Sequence, residues 1–166
     1  NLVENLRYGE NPHQIGAFYS QNIENKLEQI HGKTLSYNNY SDIFAALTIS
    51  KSLPKNTGTA IVKHGNPCGV SALKNSFDSY KSALESDPIS AFGGIVSCNY
   101  KVSQKLAQML NKIFLEVVIA NGFDKKALEI LKLRKNVRLI DSSKITFNEI
   151  WKFNSADNFT LIQSED

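Results

Sequence analysis

Residues 59–69 read Thr59-Ala60-Ile61-Val62-Lys63-His64-Gly65-Asn66-Pro67-Cys68-Gly69. A short apolar run bounded by turn residues predicts a buried strand over 59–63. Gly65, Pro67 and Gly69 then predict a turn. Lys63 and His64 therefore stand where a buried strand runs into a loop, the place where open α/β sheets put their chemistry. Histidine titrates near neutrality, and a desolvated lysine is drawn down towards it. The pair supports two readings: a proton acceptor beside a cationic stabiliser, or a surface lysine and a turn histidine that close a strand.

Outward from this stretch, helix and strand signals alternate. Ser41 is a candidate N-cap, followed by Ile43, Ala46, Leu47 and Ser50 at helical spacing until Pro54. Phe77, Tyr80, Ala83 and Leu84 predict a second helix that ends near Asp87-Pro88. Ile95–Cys98 reads as a strand. Ser103 caps a third helix with inner face Leu106, Met109, Leu110, Ile113 and Phe114. Glu116–Ala120 is a strand, Asp124 caps a fourth helix, and Val137–Ile140 is a strand. Such alternation predicts an α/β fold, a three-layer α/β/α sandwich around a mostly parallel sheet. The expected organisation is a turn-rich segment over 1–40, an α/β lobe over 41–141 and an irregular tail over 142–166. In the first segment only Ile15–Tyr19 and Leu27–Ile30 read as strands. In the tail, Phe159–Ile162 is a strand candidate that would pair outside this segment.

The chain has 166 residues, 42% hydrophobic and 21% charged, with a net charge of +3. That suits one globular core or one lobe of something larger. The positive charge is mostly dispersed lysine. Without a basic block interleaved with aromatics, no nucleic-acid partner is expected. Cys68 and Cys98 are too few for a disulfide framework, and a reducing, cytoplasmic setting is the default. No apolar run approaches the roughly 18 residues of a membrane span. The chain opens on Asn1, which reads as part of a longer polypeptide.

Further chemistry falls at turns and strand ends. Ser90-Ala91-Phe92-Gly93-Gly94 offers backbone amides that can approach a ligand closely, or merely turns the chain. Glu116, flanked by Leu115 and Val117, faces a polar cleft, is paired, or sits at an exposed strand edge. Arg7-Tyr8-Gly9 suits a phosphate through its planar guanidinium and adjacent phenol, or is a surface arginine on a loose N-terminal stretch. Asn66-Pro67-Cys68-Gly69-Val70-Ser71 is close to the Pro-Cys-x-x-Cys of zinc deaminases. Ser71 stands at the second thiolate position and no His-x-Glu precedes it, so no metal site is assigned. Cys68 reads as a small buried turn residue rather than a nucleophile. His13 and His31 read as turn residues, and neither a P-loop nor a Gly-x-Gly-x-x-Gly run is present.

Four segments occur together and in order: Leu6-Arg7-Tyr8-Gly9-Glu10-Asn11-Pro12-His13-Gln14, Gly32-Lys33-x-Leu35-Ser36-Tyr37-Asn38-Asn39, Lys63-His64-x-Asn66-Pro67-Cys68-Gly69 and Asp87-Pro88-x-Ser90-Ala91-Phe92-Gly93-Gly94. Over residues 5–135 the chain resembles the transformylase portion of the bifunctional purine-biosynthesis family that joins AICAR (5-aminoimidazole-4-carboxamide ribonucleotide) formyltransferase to IMP cyclohydrolase. The resemblance implies the first of two cytidine-deaminase-like lobes without the deaminase zinc. The second lobe, with most folate contacts, and the cyclohydrolase domain would lie outside this chain, so the chain alone is expected to be inactive. It further implies 10-formyltetrahydrofolate as co-substrate, AICAR as acceptor and homodimeric sites; composition and the lack of a long apolar run predict neither a nucleic-acid nor a membrane partner. By position, His64 matches the proton acceptor and Lys63 the transition-state stabiliser. Arg7, Tyr8, Gly93 and Glu116 match substrate-binding positions. Asn121 departs from the proline common in the family, with no expected loss of chemistry. The contrasting reading is a non-catalytic nucleotide-binding module of the same fold, which would not require the Lys63–His64 pair.

Overall fold

His64 and Gly65 both take positive φ, 53° and 71°, in the computed structural model, which describes residues 1–20, 27–145, 151–156 and 159–164. Left-handed geometry at both central positions is that of a two-residue type I′ hairpin turn. The chain therefore doubles straight back from β4 (Gly58–Lys63) into β5 (Asn66–Ala72), with Lys63 opposite Asn66. The turn-rich reading of 65–69 missed this strand. Pro67 is tolerated because β5 is an edge strand, and Cys68 is the extra residue of a bulge between Pro67 and Gly69.

The preceding elements are β1 (Leu2–Leu6), β2 (Gly16–Tyr19), β3 (Glu28–His31) and α1 (Tyr37–Ser52). After β5 come α2 (Ser76–Ser86), β6 (Ile95–Cys98), α3 (Gln104–Leu110), β7 (Val117–Ala120), α4 (Lys125–Leu131) and β8 (Arg138–Asp141). A hairpin of β9 (Trp151–Ala156) and β10 (Phe159–Ser164) completes the described residues, so the 159–162 strand pairs inside the segment rather than beyond it.

Six strands form one sheet in the order β3-β8-β7-β6-β4-β5. Only β6–β7 and β7–β8 are parallel; β3–β8, β4–β6 and β4–β5 are antiparallel. The fold is α/β with a mixed sheet, and the mostly parallel expectation is corrected. A strand that turns back through two residues must run antiparallel, whereas parallel neighbours need a crossover helix. β3, within the 1–40 segment, forms the other edge of this sheet.

Side chains alternate across the sheet, so each strand feeds two cores. Val62, Ile95, Val117, Ile119 and Ile140 pack under Ile43, Ala46 and Leu47 of α1. Ile61, Val96, Val118, Ala120 and Leu139 pack with Tyr80 and Ala83 of α2, Leu106 and Leu110 of α3, and Ala127 and Leu131 of α4. Gly69 lets α2 lie directly on β5, since a β-carbon there would come within 1.8 Å of the Ala83 carbonyl oxygen.

Two helix boundaries differ from expectation. α1 starts at Ser36, not Ser41, through a reciprocal capping box: Ser36 Oγ accepts from the Asn39 amide at 3.2 Å and Asn39 Oδ1 from the Ser36 amide at 3.1 Å. α3 ends at Leu110, capped by Asn111, so Ile113 and Phe114 fall beyond it and Phe114 meets Phe92 at 5.5 Å between ring centroids. Asp124 precedes α4 without a side-chain cap bond and pairs instead with Lys101 Nζ at 2.8 Å.

Candidate functional site

β4 opposes β6 while β6, β7 and β8 share a direction, so the end of β4 lies beside the beginnings of the other three. Val62 stands opposite Ile95, Ile95 beside Val117, and Val117 beside Arg138. Neighbouring strands are about 4.8 Å apart. One end of the sheet thus carries Lys63 and His64, the Gly93-Gly94 turn, Glu116 and Arg138.

Lys63 reaches across this end, its Nζ donating to the Phe92 carbonyl at 2.7 Å. An ammonium has three protons, which leaves two for a ligand. Gly93 has φ 75°, and a β-carbon there would stand 3.9 Å from Lys63 Nζ and 3.6 Å from the Phe114 ring. Its amide donates to the Phe114 carbonyl at 2.8 Å, and the Gly94 carbonyl accepts the Glu116 amide at 3.0 Å. Asp87 fixes the other end of the turn by accepting the Ser90 amide at 2.9 Å, and the Ser90 hydrogen bonds hold its carboxyl below the usual range.

His64 is exposed at the hairpin tip and lines, with Gly65, Glu10, Asn38, Ser41 and Asp42, a cleft of about 210 Å³. Its amide and that of Gly65 both donate to the Asp42 carboxylate, at 3.2 Å to Oδ2 and 2.6 Å to Oδ1. The Asn66 side chain donates to the His64 carbonyl at 2.9 Å.

Glu116 stands on a central strand's threshold, not at a sheet edge, and it is paired. Its Oε2 accepts from Asn39 Nδ2 at 2.9 Å and lies 3.8 Å from Arg138 Nη1. Arg138 Nε donates to the Thr34 carbonyl at 3.2 Å. Arg7 and Tyr8 follow β1 and line a larger cleft of about 530 Å³, whose wall includes Glu4, Lys33, Ser36 and Arg138. Three cations and a phenol face one carboxylate there, so the cleft suits an anion. Arg138 belongs to both groups and joins the Arg7–Tyr8 cleft to Glu116.

Lys33, Asn39, Asp42 and Arg138 were not singled out from sequence. Arg138 carried one signal, being one of only three arginines. Lys33 and Asn39 stand in the second family-like segment, which marks the stretch but not their roles; Asp42 carried no signal, and the partners of Asn39 and Asp42 lie 77 and 22–23 residues away. His31 bonds the Arg134 carbonyl at 3.2 Å, and His13 is exposed in the β1–β2 connection. Burial, followed by the Asp87 charge, pushes the Cys68 thiol up; burial pushes Cys98 up to about 12. Neither is a thiolate at neutral pH. Among the described residues no three His, Cys, Asp or Glu side chains gather as a metal would require, and no helix is long and apolar enough to cross a membrane.

The bifunctional purine biosynthesis protein PurH of Acetivibrio thermocellus is 46% identical over 149 residues, covering 87% of this chain and 29% of its own length. Its counterpart in Caldicellulosiruptor saccharolyticus is 43% identical over 173 residues, with 99% and 33% covered. That of Thermoanaerobacter sp. is 43% identical over 168 residues, with the same coverage. The chain spans about a third of the length of the curated relatives it matches. Among solved structures, the apo dCMP deaminase of cyanophage S-TIM5 superposes with a TM-score of 0.45 at 14% identity, covering 60% of this chain and 94% of that one. The family model described as the AICARFT/IMPCHase bienzyme matches residues 1–166, and with these relatives it shows that the chain belongs to that family.

Proposed function

We propose that residues 41–141, with the substrate-binding motif of 1–40, form the first lobe of a transformylase domain, and that 142–166 lead to a second lobe. The lobe is a three-layer α/β/α sandwich of the cytidine-deaminase-like kind, operating without zinc. Its reaction moves the formyl group of 10-formyltetrahydrofolate to the 5-amino group of AICAR, in a cytoplasmic homodimer whose other domain closes the ring to IMP. Neither nucleic acid nor membrane is a partner.

The supporting observation is the antiparallel placement of β4, which sets Lys63 and His64 beside Gly93 and Glu116. The acceptor amine attacks the formyl carbon, the carbonyl electrons move to oxygen, and His64 takes the amine proton. The Lys63 ammonium stabilises the oxyanion with the protons not used on Phe92. Collapse breaks the bond to the folate nitrogen, which is reprotonated and leaves as tetrahydrofolate. Arg7 and Tyr8 hold the nucleotide phosphate, with Lys33 and Arg138 adding positive charge to the same cleft. The Gly93 turn contacts substrate through its backbone, and Glu116, oriented by Asn39 and Arg138, accepts from ribose hydroxyls.

The test is His64→Ala in the full-length protein. Formyl transfer should fall about 10²–10⁴-fold, the usual contribution of a positioned general base, with substrate binding changed less. Activity within a few-fold of wild type would remove His64 from the mechanism, whereas a wild-type protein that binds the nucleotide without formyl transfer would favour the nucleotide-binding module.

A further inference from the structure

We propose that Asp42 is a positioning residue for His64: its carboxylate grips the two amides of the turn that carries the histidine. The inference rests on the reading of His64 as the proton acceptor.

In a two-residue hairpin the last ladder pair is the one flanking the turn, here Lys63 with Asn66, and the turn amides lack ladder partners. His64 and Gly65 present these amides as consecutive donors. Asp42 takes one on each oxygen, at 3.2 and 2.6 Å. Consecutive N–H groups form a concave anion-binding nest, and bonds to an ionised carboxylate are roughly twice as strong as neutral ones. The donor side needs this hold. A side chain at φ 53° is uncommon outside glycine, and such a conformation persists only where its surroundings over-determine it. The acceptor side is rigid. Asp42 lies in the second turn of α1, next to Ile43, which is 0% exposed under the sheet. The carboxylate therefore refers the position of His64 to the helix core. Asp42 also lines the same 210 Å³ cleft as His64 and Gly65, so the turn is fixed from the side on which a ligand would enter.

The experiment compares single and double variants of the full-length protein in formyl transfer. Asp42→Ala should lower kcat about 10- to 100-fold, the scale of a misplaced catalytic group, with KM for AICAR and 10-formyltetrahydrofolate within about 3-fold. Asp42→Asn keeps an acceptor for Gly65 but turns an NH₂ towards the His64 amide, and should lie between. In the His64→Ala background, Asp42→Ala should add no further loss, because its only route to the reaction has been removed. An additive loss there, accompanied by a lowered unfolding midpoint, would make Asp42 a general structural residue and overturn the proposal. An independent arm is Gly65→Ala, which strains the same turn, against Gly65→Asn, which tolerates positive φ and should restore most of the rate. Wild-type kcat in Asp42→Ala, with His64→Ala impaired, refutes the clamp and leaves the reading of His64 standing. Wild-type rates in His64→Ala itself refute both.

Discussion

Asn99 holds the end of α1 to the start of β4, and its removal should be among the most damaging polar changes in the lobe. The helix stops before Pro54, so the Ser50 carbonyl has no i+4 amide to receive. Asn99 Nδ2 supplies the missing donor at 2.8 Å and also reaches the Leu53 and Pro54 carbonyls at 3.2 and 3.1 Å. Its Oδ1 accepts the buried Gly58 amide at 2.8 Å. The side chain is 4% exposed. Asn99→Ala strands two buried groups, the Gly58 N–H and the Ser50 C=O, at about 1–3 kcal/mol each. The Leu53 and Pro54 carbonyls lie nearer the surface and find water. The expected loss is about 3 kcal/mol, which for a chain of this size lowers Tm by about 6–12 °C. Urea and thermal unfolding of the 166-residue chain read it directly. Asn99→Asp keeps the Gly58 bond but sets a carboxylate against three carbonyls. Its folded pKa is raised above about 3.9, so its deficit is smallest below that pH and grows as pH rises. A midpoint for Asn99→Ala within about 2 °C of wild type would refute the reasoning and show that water satisfies both groups.

Three further expectations follow from single residues. Arg7→Lys keeps the charge but loses bidentate geometry; it should cost about 1.5–3 kcal/mol, roughly ten- to a hundredfold in affinity, for the nucleotide and not the nucleoside, as calorimetric titration of the full-length protein would read. Gly69→Ala drives a β-carbon into the Ala83 carbonyl and should cost about 3 kcal/mol or more in urea unfolding, since the obstacle is backbone. Burial, reinforced by Glu4, pushes the Tyr40 phenol from 10.0 up to about 12. The protonated phenol is the form the fold favours, so its contribution is complete below pH 10 and is lost between 10 and about 12. Tyr40→Phe should remove that component from the pH profile of the unfolding midpoint, and an unchanged profile would contradict it.

The elements that were legible in the sequence are those with local causes. Ile95–Cys98 is an apolar run broken only by Ser97, behind a Gly-Gly turn, and all four residues are buried. Ser103 caps α3 as its position suggests, with its hydroxyl accepting the Leu106 amide at 3.3 Å. The Lys63–His64 pair and the 90–94 turn were visible for the same reason, since Gly, Pro and paired titratable residues mark strand ends without reference to the rest of the chain. The errors arose where two local signals compete. Ser36 and Ser41 both suit an N-cap, and Asn39 decides for Ser36 by closing the capping box. Pro67 and Gly69 argue against a strand, yet edge placement removes the penalty.

The identity and order of the chemistry-bearing residues are therefore properties of the sequence, as is the alternation that makes the fold α/β. Strand direction is not. Had β4 run parallel to β6, His64 would stand beyond the Cys98 end of that four-residue strand, five residues or more from Gly93, about 16 Å at 3.3 Å per residue. A left-handed His64–Gly65 turn, stabilised by a carboxylate from a helix more than twenty residues earlier, sends β5 back along β4. The helix α2 then carries the chain over β4 to β6, leaving β4 antiparallel between two strands that share a direction. Direction depends on which strand a hairpin leaves room for beside its partner, and that is decided by packing across the whole sheet. Only the tertiary structure brings Lys63, Gly93, Glu116 and Arg138 to one end.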